Sequence, residues 1–266
     1  MGFWLVLYKI MFNKISSKDN QSFKYAKKLF EKSSFRKNEK KFIVEGLREI
    51  DLCQKSDFEI ESIFTLEKNV ENLNHKNINV ISNELLKKII YRETEGIFAI
   101  VNDKKQDINS IKLTTDELIL VLENPEKPGN IGAIMRTFEA CGFKNIIIVD
   151  SNLDLYNPNT IRSSLGSIFH LNVFKMNSNQ VIDFLKKNNF KIYSSFIESK
   201  NNFNKIDYNK RCAIVMGPEK SSINQTLIKK SDELLSIPMF GKVDSLNLSV
   251  STGIILYEAL NQRKFS

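Results

Sequence analysis

The sequence predicts an α/β protein with two domains, and three observations support this prediction. The chain has 266 residues, which suffices for one large or two modest domains at about 150 residues each. Hydrophobic residues make up 42% and charged residues 26% of it, the usual balance of a chain that buries a core. Short apolar runs alternate with helical patterns twice, over residues 21–105 and again over 116–266.

The first alternation predicts a small α/β domain. Helices are expected near 23–32, from Leu47 onward, and over 84–90 after a cap at Ser82 or Asn83. Strands are expected at 42–44, 63–66, 78–81 and 97–101. A polar stretch with few apolar residues, 106–115, is the predicted linker to the second domain.

The second alternation predicts a mostly parallel sheet covered by helices on both faces. The expected strands are 118–122, 145–149, 171–174, 191–194, 213–216 and 234–237. The expected helices are 130–141, 159–166, 179–188, 222–230 and 249–263. All five prolines and seven of the ten glycines fall in this half. Several of them follow a strand directly, where an open α/β sheet builds its ligand crevice.

The cysteine and histidine content argues against several kinds of site. Cys53, Cys141 and Cys212 are odd in number and far apart, so neither a disulfide framework nor a CxxC metal site is available. This usage favours a reducing cytoplasm. With only His75 and His170, a zinc site or a histidine triad has few residues to draw on, and no metal is expected.

The N-terminus is apolar but does not predict a membrane protein. Residues 1–12 are too few to span a bilayer, and they lack the basic start and the cleavage site of a signal peptide. We therefore expect an N-terminal extension over 1–20 and no membrane partner. This extension is either a frayed segment or the result of a start assigned upstream of a true one at Met11.

The net charge of +8 favours a polyanionic partner. Most of the excess lies in Lys24–Lys41, where eight basic residues stand against two acidic ones. Such a run also fits a solvated helix face. The interleaved aromatic residues favour RNA, although Phe23, Ala26 and Phe30 at helical spacing equally fit a core stripe. The predicted RNA contacts are Lys28, Lys32, Arg36, Lys37 and Lys40.

The commonest nucleotide-binding motifs are absent from the sequence. No two glycines lie two residues apart, which excludes GxGxxG, and there is no GxxxxGK(S/T) loop. A ligand is therefore held in another way, and three segments that follow predicted strands are the candidates.

The first candidate segment is Glu123–Phe143. Two prolines and Gly129 turn the chain after a strand, and Asn130 is expected at or near the N-cap of the next helix. That helix is expected to bury the stripe Ile131, Ile134, Met135 and Phe138. Arg136 lies about 150° from this stripe. Its side chain is either solvated or held over a crevice, where it grips an RNA phosphate or a reacting hydroxyl.

The second and third candidate segments follow later strands. In Val215–Ser222, Glu219 comes directly after a Gly-Pro turn and either stabilises the next helix N-terminus or orients a substrate hydroxyl or a basic neighbour. In Ile237–Glu258, Ser245 and Asn247 also fit ordinary turn and capping roles. Three such loops at the strand ends of one sheet converge, and together they can enclose an adenosine-sized ligand.

In this order and spacing, the three segments resemble the signature motifs of the SpoU/TrmH family of the SPOUT superfamily, which are S-adenosylmethionine-dependent RNA ribose 2′-O-methyltransferases. Asn130, Gly132 and Arg136 stand where the first motif has N-x-G-x-x-x-R. The resemblance covers about residues 116–263. Residues 23–101 are similar to the ribosomal-protein-like substrate-binding domain that precedes the catalytic domain in many members.

Gly217 and Glu219 resemble the second motif of the family, and residues 237–250 resemble the third. One position departs from the family pattern. The second motif often has a glycine three residues after its glutamate, where this chain has Ser222. If that position needs a positive φ, the loop is strained or reshaped there.

The resemblance implies a catalytic domain, 116–266, whose deep trefoil knot forms the pocket for S-adenosylmethionine, with S-adenosylhomocysteine as product. It also implies an obligate dimer through this domain. The implied cofactor contacts, largely through the backbone, are Gly217, Ile237, Met239 and Leu246. The implied residues at the reacting end are Asn130, Arg136, Glu219, Ser245 and Asn247.

Methyl transfer to a ribose 2′-hydroxyl needs proximity and removal of a proton. Because a guanidinium has a pKa above about 12, Arg136 is expected to position a phosphate and favour the alkoxide, while Glu219 or water takes the proton. The extra N-terminal domain favours rRNA, and 23S rRNA in particular, as the substrate. The alternatives are a tRNA ribose methyltransferase and a non-catalytic RNA-binding or ribosome-assembly protein. A small-molecule enzyme would leave the basic segment unexplained.

Overall fold

A computed structural model describes residues 12–90, 95–219 and 221–264, which divide into two compact units. The first unit comprises the described residues up to 104 together with 156–158. The second comprises 105–155 and the described residues from 159 onward. Each unit has its own sheet and its own hydrophobic core.

The first unit is a mixed five-stranded sheet with four helices among its described residues. Its strands are β1 (Asn13–Ile15), β2 (Lys41–Glu45), β3 (Ile60–Thr65), β4 (Ile78–Ile81) and β5 (Ile97–Asn102). Its helices are α1 (Gln21–Glu31), α2 (Ser33–Glu39), α3 (Leu47–Lys55) and α4 (Asn83–Leu86). The strand order is β1-β4-β3-β5-β2, with β5 antiparallel to both neighbours and the other pairs parallel.

The basic segment contains α1, which confirms the helix predicted near 23–32, and a second helix, α2, that was not predicted. α1 begins after Asn20, whose side chain accepts hydrogen bonds from the first turn. Phe23, Ala26 and Leu29 form its buried stripe, and Phe30 packs partly buried beside them. The core-stripe interpretation of these aromatic positions is thus largely right, while the lysines between them point outward.

Two further expectations for the first unit need correction. The helix expected over 84–90 is only α4, capped by Ser82 as predicted, with turns after it. Residues 13–20 are not a frayed extension, because β1 pairs with β4 and Ile15 is buried in the core. The alternative start at Met11 lies outside the described residues.

The second unit is a six-stranded, wholly parallel sheet. Its strands are β6 (Leu118–Glu123), β7 (Asn145–Val149), β8 (Asn172–Met176), β9 (Lys191–Ser195), β10 (Cys212–Met216) and β11 (Glu233–Leu235). Its helices are α5 (Pro128–Ala140), α6 (Pro158–Ser164), α7 (Ser178–Lys187), α8 (Gln225–Lys230) and α9 (Leu248–Lys264). The order is β11-β9-β10-β6-β7-β8, which confirms the predicted α/β fold with a parallel sheet.

The apolar runs of the second unit explain its architecture. Every residue of β6, β7 and β10 is buried, as expected for parallel strands covered on both faces. The predicted linker packs on this unit, because Ile108, Ile111 and Leu113 lie against its core. The side chain of Gln106 accepts a hydrogen bond from Val173 N at 2.5 Å. None of the described helices is long and apolar enough to cross a membrane.

Candidate active site and cofactor site

Hydrogen bonds join the three loops that the sequence singles out, at the carboxyl ends of the parallel strands. Asn247 Nδ2 donates to Asn130 Oδ1 at 3.2 Å. Asn130 Nδ2 in turn donates to Glu219 Oε1 at 2.9 Å. The other carboxylate oxygen, Glu219 Oε2, accepts from the backbone N–H of Glu126 at 3.2 Å. One residue from each motif therefore takes part in a single network.

Asn130 lies near the N-cap of α5, as the sequence predicts, but it is not the cap residue itself. α5 begins after Lys127 with Pro128 at its first position, where a fixed φ and a missing N–H do no harm. Asn130 is thus the third residue of the helix. Its side-chain amide does not cap the helix and instead forms hydrogen bonds with both Glu219 and Asn247.

Gly132 of the first motif is explained by helix packing. A Cβ at this position would lie 2.5 Å from the backbone oxygen of Thr160, 2.6 Å from Ser163 Cβ and 2.8 Å from the backbone nitrogen of Ser164. The two backbone atoms belong to α6 and cannot rotate away. α5 therefore lies against α6 at a distance that only glycine permits.

Arg136 lies on the exposed face of α5, as the helical spacing predicts. The predicted stripe Ile131, Ile134, Met135 and Phe138 is fully buried on the opposite face. Within the described ranges, no hydrogen bond or ion pair holds the guanidinium of Arg136. Its side chain is accordingly available to a ligand and contributes little to the core.

The surroundings of Glu219 favour its ionised form. Partial burial by itself would raise the pKa of this carboxyl, but hydrogen bonds from Asn130 and from nearby backbone N–H groups outweigh it. The pKa of Glu219 therefore lies below its ordinary value of 4.5. A carboxylate with both oxygens engaged and a low pKa is a good structural acceptor and a weak base.

Glu219→Gln should destabilise the protein near neutral pH and have little effect in acid. Because the folded pKa is depressed, the stabilisation by the carboxylate is complete above 4.5 and is lost as the pH falls through the folded value. The protonated carboxyl has one donor and one acceptor oxygen, much as an amide does. Urea unfolding of both proteins in a pH series from about pH 7 down to about pH 2 measures this. A stability difference that persists unchanged in acid would contradict the role of the charge.

Glu123 is a buried carboxylate that the sequence analysis missed. It is the last residue of β6, and both of its oxygens accept from the backbone N–H of Asn224, at 3.1 and 2.9 Å. Burial raises the pKa of Glu123; the Asn224 N–H opposes this and the carboxylate of Asp150 adds to it. Glu123 thus ties the end of β6 to the start of α8. The available signal was a charged residue ending an otherwise apolar strand.

The four residues expected at the cofactor share the features of a ligand site built from backbone. Gly217, Ile237, Met239 and Leu246 are all half-buried. In the part of the chain that the structure describes, no backbone hydrogen bond engages their peptide groups. Free peptide groups in half-buried loops suit a ligand with its own donors and acceptors. Ser222 is absent from the residues with positive φ, so serine fits there without the strain considered above.

The third motif brings Asn247, but not Ser245, into the network. Asn247 Oδ1 accepts from the backbone N–H and the hydroxyl of Ser249, at 2.9 and 2.7 Å, and so also orders the start of α9. Ser245 is exposed, with no hydrogen bond to the rest of the described chain. The described residues include no group of three or more side chains suited to hold a metal ion.

Most of the predicted RNA contacts lie at the surface of the first unit, and Arg36 is the exception. The exposed residues are Lys28, Lys32, Lys37 and Lys40. Arg36 is 5% exposed, and its guanidinium donates to the backbone oxygens of Leu29 and Phe30. The prediction of Arg36 as an RNA contact is therefore wrong, because the guanidinium satisfies the carbonyls at the end of α1.

The fold and the site together define an α/β protein in which three loops meet at the carboxyl ends of parallel strands, the place where such sheets usually bind ligands. Comparison with known proteins identifies the family. A family model described as the SpoU rRNA Methylase family matches residues 117–257. A second model, described as an MRM3-like substrate binding domain, matches residues 20–99.

Individual relatives agree with these models. The chain is 28% identical over 252 residues to the 23S rRNA (guanosine(2553)-2'-O)-methyltransferase RlmP of Bacillus subtilis, covering 91% of this chain and 97% of that one. It is 32% identical over 148 residues to the tRNA (guanosine(18)-2'-O)-methyltransferase of Thermus thermophilus, covering 55% and 76%. A crystal structure of an RNA 2'-O ribose methyltransferase superposes with a TM-score of 0.82 at 29% identity, covering 94% and 98%.

The chain belongs to the SpoU rRNA methylase family. It is an S-adenosylmethionine-dependent RNA 2′-O-methyltransferase, as the three sequence motifs predicted. The N-terminal resemblance to a substrate-binding domain is confirmed as well.

Proposed function

We propose that this enzyme methylates a ribose 2′-hydroxyl in ribosomal RNA, with 23S rRNA as the substrate. The observation that carries this proposal is the similarity to the 23S rRNA enzyme over nearly the full length of both chains. The similarity to the tRNA enzyme covers only 55% of this chain. A tRNA substrate is the second candidate, favoured by the higher identity of that shorter match.

The residues at the carboxyl ends of the strands then have two roles, cofactor binding and RNA binding. S-adenosylmethionine supplies an activated methyl group when bound, and Gly217, Ile237, Met239 and Leu246 hold it through their free peptide groups. Arg136, on the exposed face of α5, binds a phosphate of the RNA next to the reacting ribose. Its fixed positive charge also favours the developing alkoxide.

In this mechanism Glu219 positions the loops and does not take the proton. Both of its oxygens already accept hydrogen bonds, and its pKa is depressed. It fixes Asn130, which in turn fixes Asn247 beside the reacting end. Water then takes the proton from the 2′-hydroxyl, and Ser245, exposed in the third motif, contacts the RNA.

The basic surface of the first unit binds RNA. Lys28, Lys32, Lys37 and Lys40 are exposed, and lysine contacts to phosphate make affinity fall with salt. We assign residues 21–105 to substrate binding, 106–115 to the linker and 116–266 to catalysis. The three cysteines are free and buried, which supports a reducing compartment such as the cytoplasm.

We also propose that the catalytic domain contains the trefoil knot of its family and forms a homodimer. Large apolar side chains are exposed on it: Phe240 is 97% exposed, Val243 64%, Val250 50% and Tyr257 55%. Val250 and Tyr257 lie seven residues apart, on one face of α9. Exposed apolar groups clustered in this way indicate a surface that another protein covers.

The double variant Val250→Glu/Tyr257→Glu should convert a dimer into monomers, because two charges on this face of α9 oppose burial. Sedimentation equilibrium of the purified full chain gives the mass directly. Ile197→Glu is the matched control, since Ile197 is 70% exposed but lies outside α9. A monomeric wild-type protein, or a variant that stays dimeric, would contradict this interface.

Transfer of labelled methyl to unmodified 23S rRNA, 16S rRNA and tRNA in separate reactions tests the proposed substrate, with nucleoside mass spectrometry of the product. We expect a 2′-O-methylnucleoside from 23S rRNA alone. Methylation of tRNA alone would establish the second candidate. Cofactor binding without transfer to any RNA would refute the substrate proposal.

A further inference from the structure

A cleft of about 650 Å³ opens in the first unit, and none of its described lining residues belongs to the three motif loops. Its volume lies within the range of about 300–1,000 Å³ that is usual for small-molecule sites. The helical side is formed by α1 and α2, and the opposite side by β1, β3, β4 and neighbouring strands. The proposed catalytic mechanism makes no use of this cleft.

Two buried polar side chains line the cleft and have no hydrogen-bond partner in the described part of the chain. Asn79 on β4 and Ser62 on β3 are each 4% exposed. Neither the amide of Asn79 nor the hydroxyl of Ser62 forms a hydrogen bond with another described residue. Polar groups that line an open cleft and have no partner among the described residues are available to pair with a ligand.

Aromatic rings form part of the same lining. Tyr25 and Phe35 meet edge to face, with ring centroids 5.4 Å apart, and both are half-buried. Phe64 lies deeper and stacks on Phe98 at 4.7 Å. Each of the three lining rings offers apolar surface to a flat group that enters the cleft.

Lysine side chains and one ion-paired carboxylate contribute charge to the described lining of the cleft. Lys24, Lys28 and Lys41 line it, and Lys28 Nζ lies 5.8 Å from the centroid of the Phe35 ring. Glu61, the one carboxylate among the described lining residues, forms an ion pair with Lys41. Lys24 Nζ is likewise paired with Asp19 Oδ1, at 2.9 Å. Among the described residues no ion pair engages Lys28, so its charge is available to an anionic group of a ligand.

We propose that this cleft binds one unstacked nucleotide of the RNA substrate. The base lies against the rings of Tyr25 and Phe35, and its hydrogen-bonding edge pairs with Asn79 and Ser62. An amide both donates and accepts, which matches the mixed edge of a nucleobase. Lys28 holds a phosphate. The proposal rests on the proposed function in that it requires an RNA substrate.

Fluorescence of a single-stranded RNA hexamer that carries one 2-aminopurine tests the cleft in the full-length enzyme. Stacking on the rings should quench the probe, and a duplex of the same sequence should bind without quenching. Tyr25→Ala should weaken hexamer binding by about tenfold. Asn79→Ala should weaken it by about threefold to tenfold, and the milder Ser62→Ala by about threefold.

A pair of lysine variants separates this site from general attraction to RNA. Lys28→Ala should weaken hexamer binding more than Lys68→Ala, which removes the same charge from an exposed position outside the cleft. Equal effects of the two changes, equal binding of hexamer and duplex, or absence of hexamer binding would overturn the proposal. Melting temperatures identify any variant that fails to fold.

Methyl transfer by the same proteins distinguishes the two proposals. If the wild type methylates 23S rRNA and the Asn79 and Ser62 variants keep its KM, the function stands and the cleft proposal fails. If the hexamer is quenched in the expected pattern but no RNA is methylated, the cleft stands and the proposed function fails. Raised KM with unchanged kcat in both variants supports both proposals.

Discussion

Arg136→Ala should lower kcat for methyl transfer by about 100- to 1,000-fold, the usual effect of removing one group that stabilises developing charge. The guanidinium lies on the exposed face of α5, and no described residue holds it. Its loss therefore leaves the fold intact. Affinity for S-adenosylmethionine should stay unchanged, because the proposed cofactor contacts lie in the other two loops. Single-turnover kinetics and calorimetric titration measure the two quantities.

Two further variants identify what Arg136 contributes. Arg136→Lys keeps the charge but loses the planar fork that binds phosphate through two hydrogen bonds, so it should recover only a small part of the rate. Lys187→Ala, an exposed charge on α7, should leave kcat unchanged. Near-full turnover by Arg136→Lys would show that two-point contact with phosphate is unnecessary.

Gly132→Ala should destabilise the protein by about 1–3 kcal/mol or more, as overpacking of a well-packed interior does. The added Cβ meets two backbone atoms of α6 at 2.5 and 2.8 Å, which cannot move unless the helix shifts. Alanine is the better helix former by about 1 kcal/mol, so the sign of the effect depends entirely on this contact. Urea unfolding of the full chain measures it.

Gly253→Ala is the matched control, because Gly253 also lies inside a helix of the same unit. Its added Cβ would meet only Thr137 Cγ2, at 3.7 Å, an ordinary contact. Helix propensity then prevails, and this change should stabilise the protein by about 0.5–1 kcal/mol. If Gly132→Ala were neutral or stabilising, the close approach of α5 and α6 would not constrain the fold.

The sheet of the catalytic domain was predictable because its signal is local. Continuous apolar runs such as Leu118–Leu122 mark strands buried on both faces, and the structure extends or shifts most of them by only one or two residues. The exposed placement of Arg136 followed from helical periodicity alone. The motif residues were identified by their resemblance to the family motifs, which says more about the role of a residue than its spacing along the chain does.

Other features depended on contacts between distant parts of the chain. Arg36 stood in a basic run and matched an RNA contact, but its guanidinium reaches back to carbonyls at the end of α1. Asn130 was predicted at or near a helix cap, and the start of the helix at Pro128 makes it the third helical residue. Residues 13–20 resembled a free extension, yet β1 pairs with a strand more than sixty residues later.

The sequence by itself determined the fold class, the order of the elements and the three motifs. The reason is that hydrophobic periodicity, turn-forming residues and motif residues can each be recognised within a short stretch of the chain. Only the tertiary structure decided that Asn247, Asn130 and Glu219 form one hydrogen-bonded network and that Gly132 is required for helix contact. These roles arise between residues up to 117 positions apart. Such pairs meet only when the strands align in the sheet, so no local pattern encodes them.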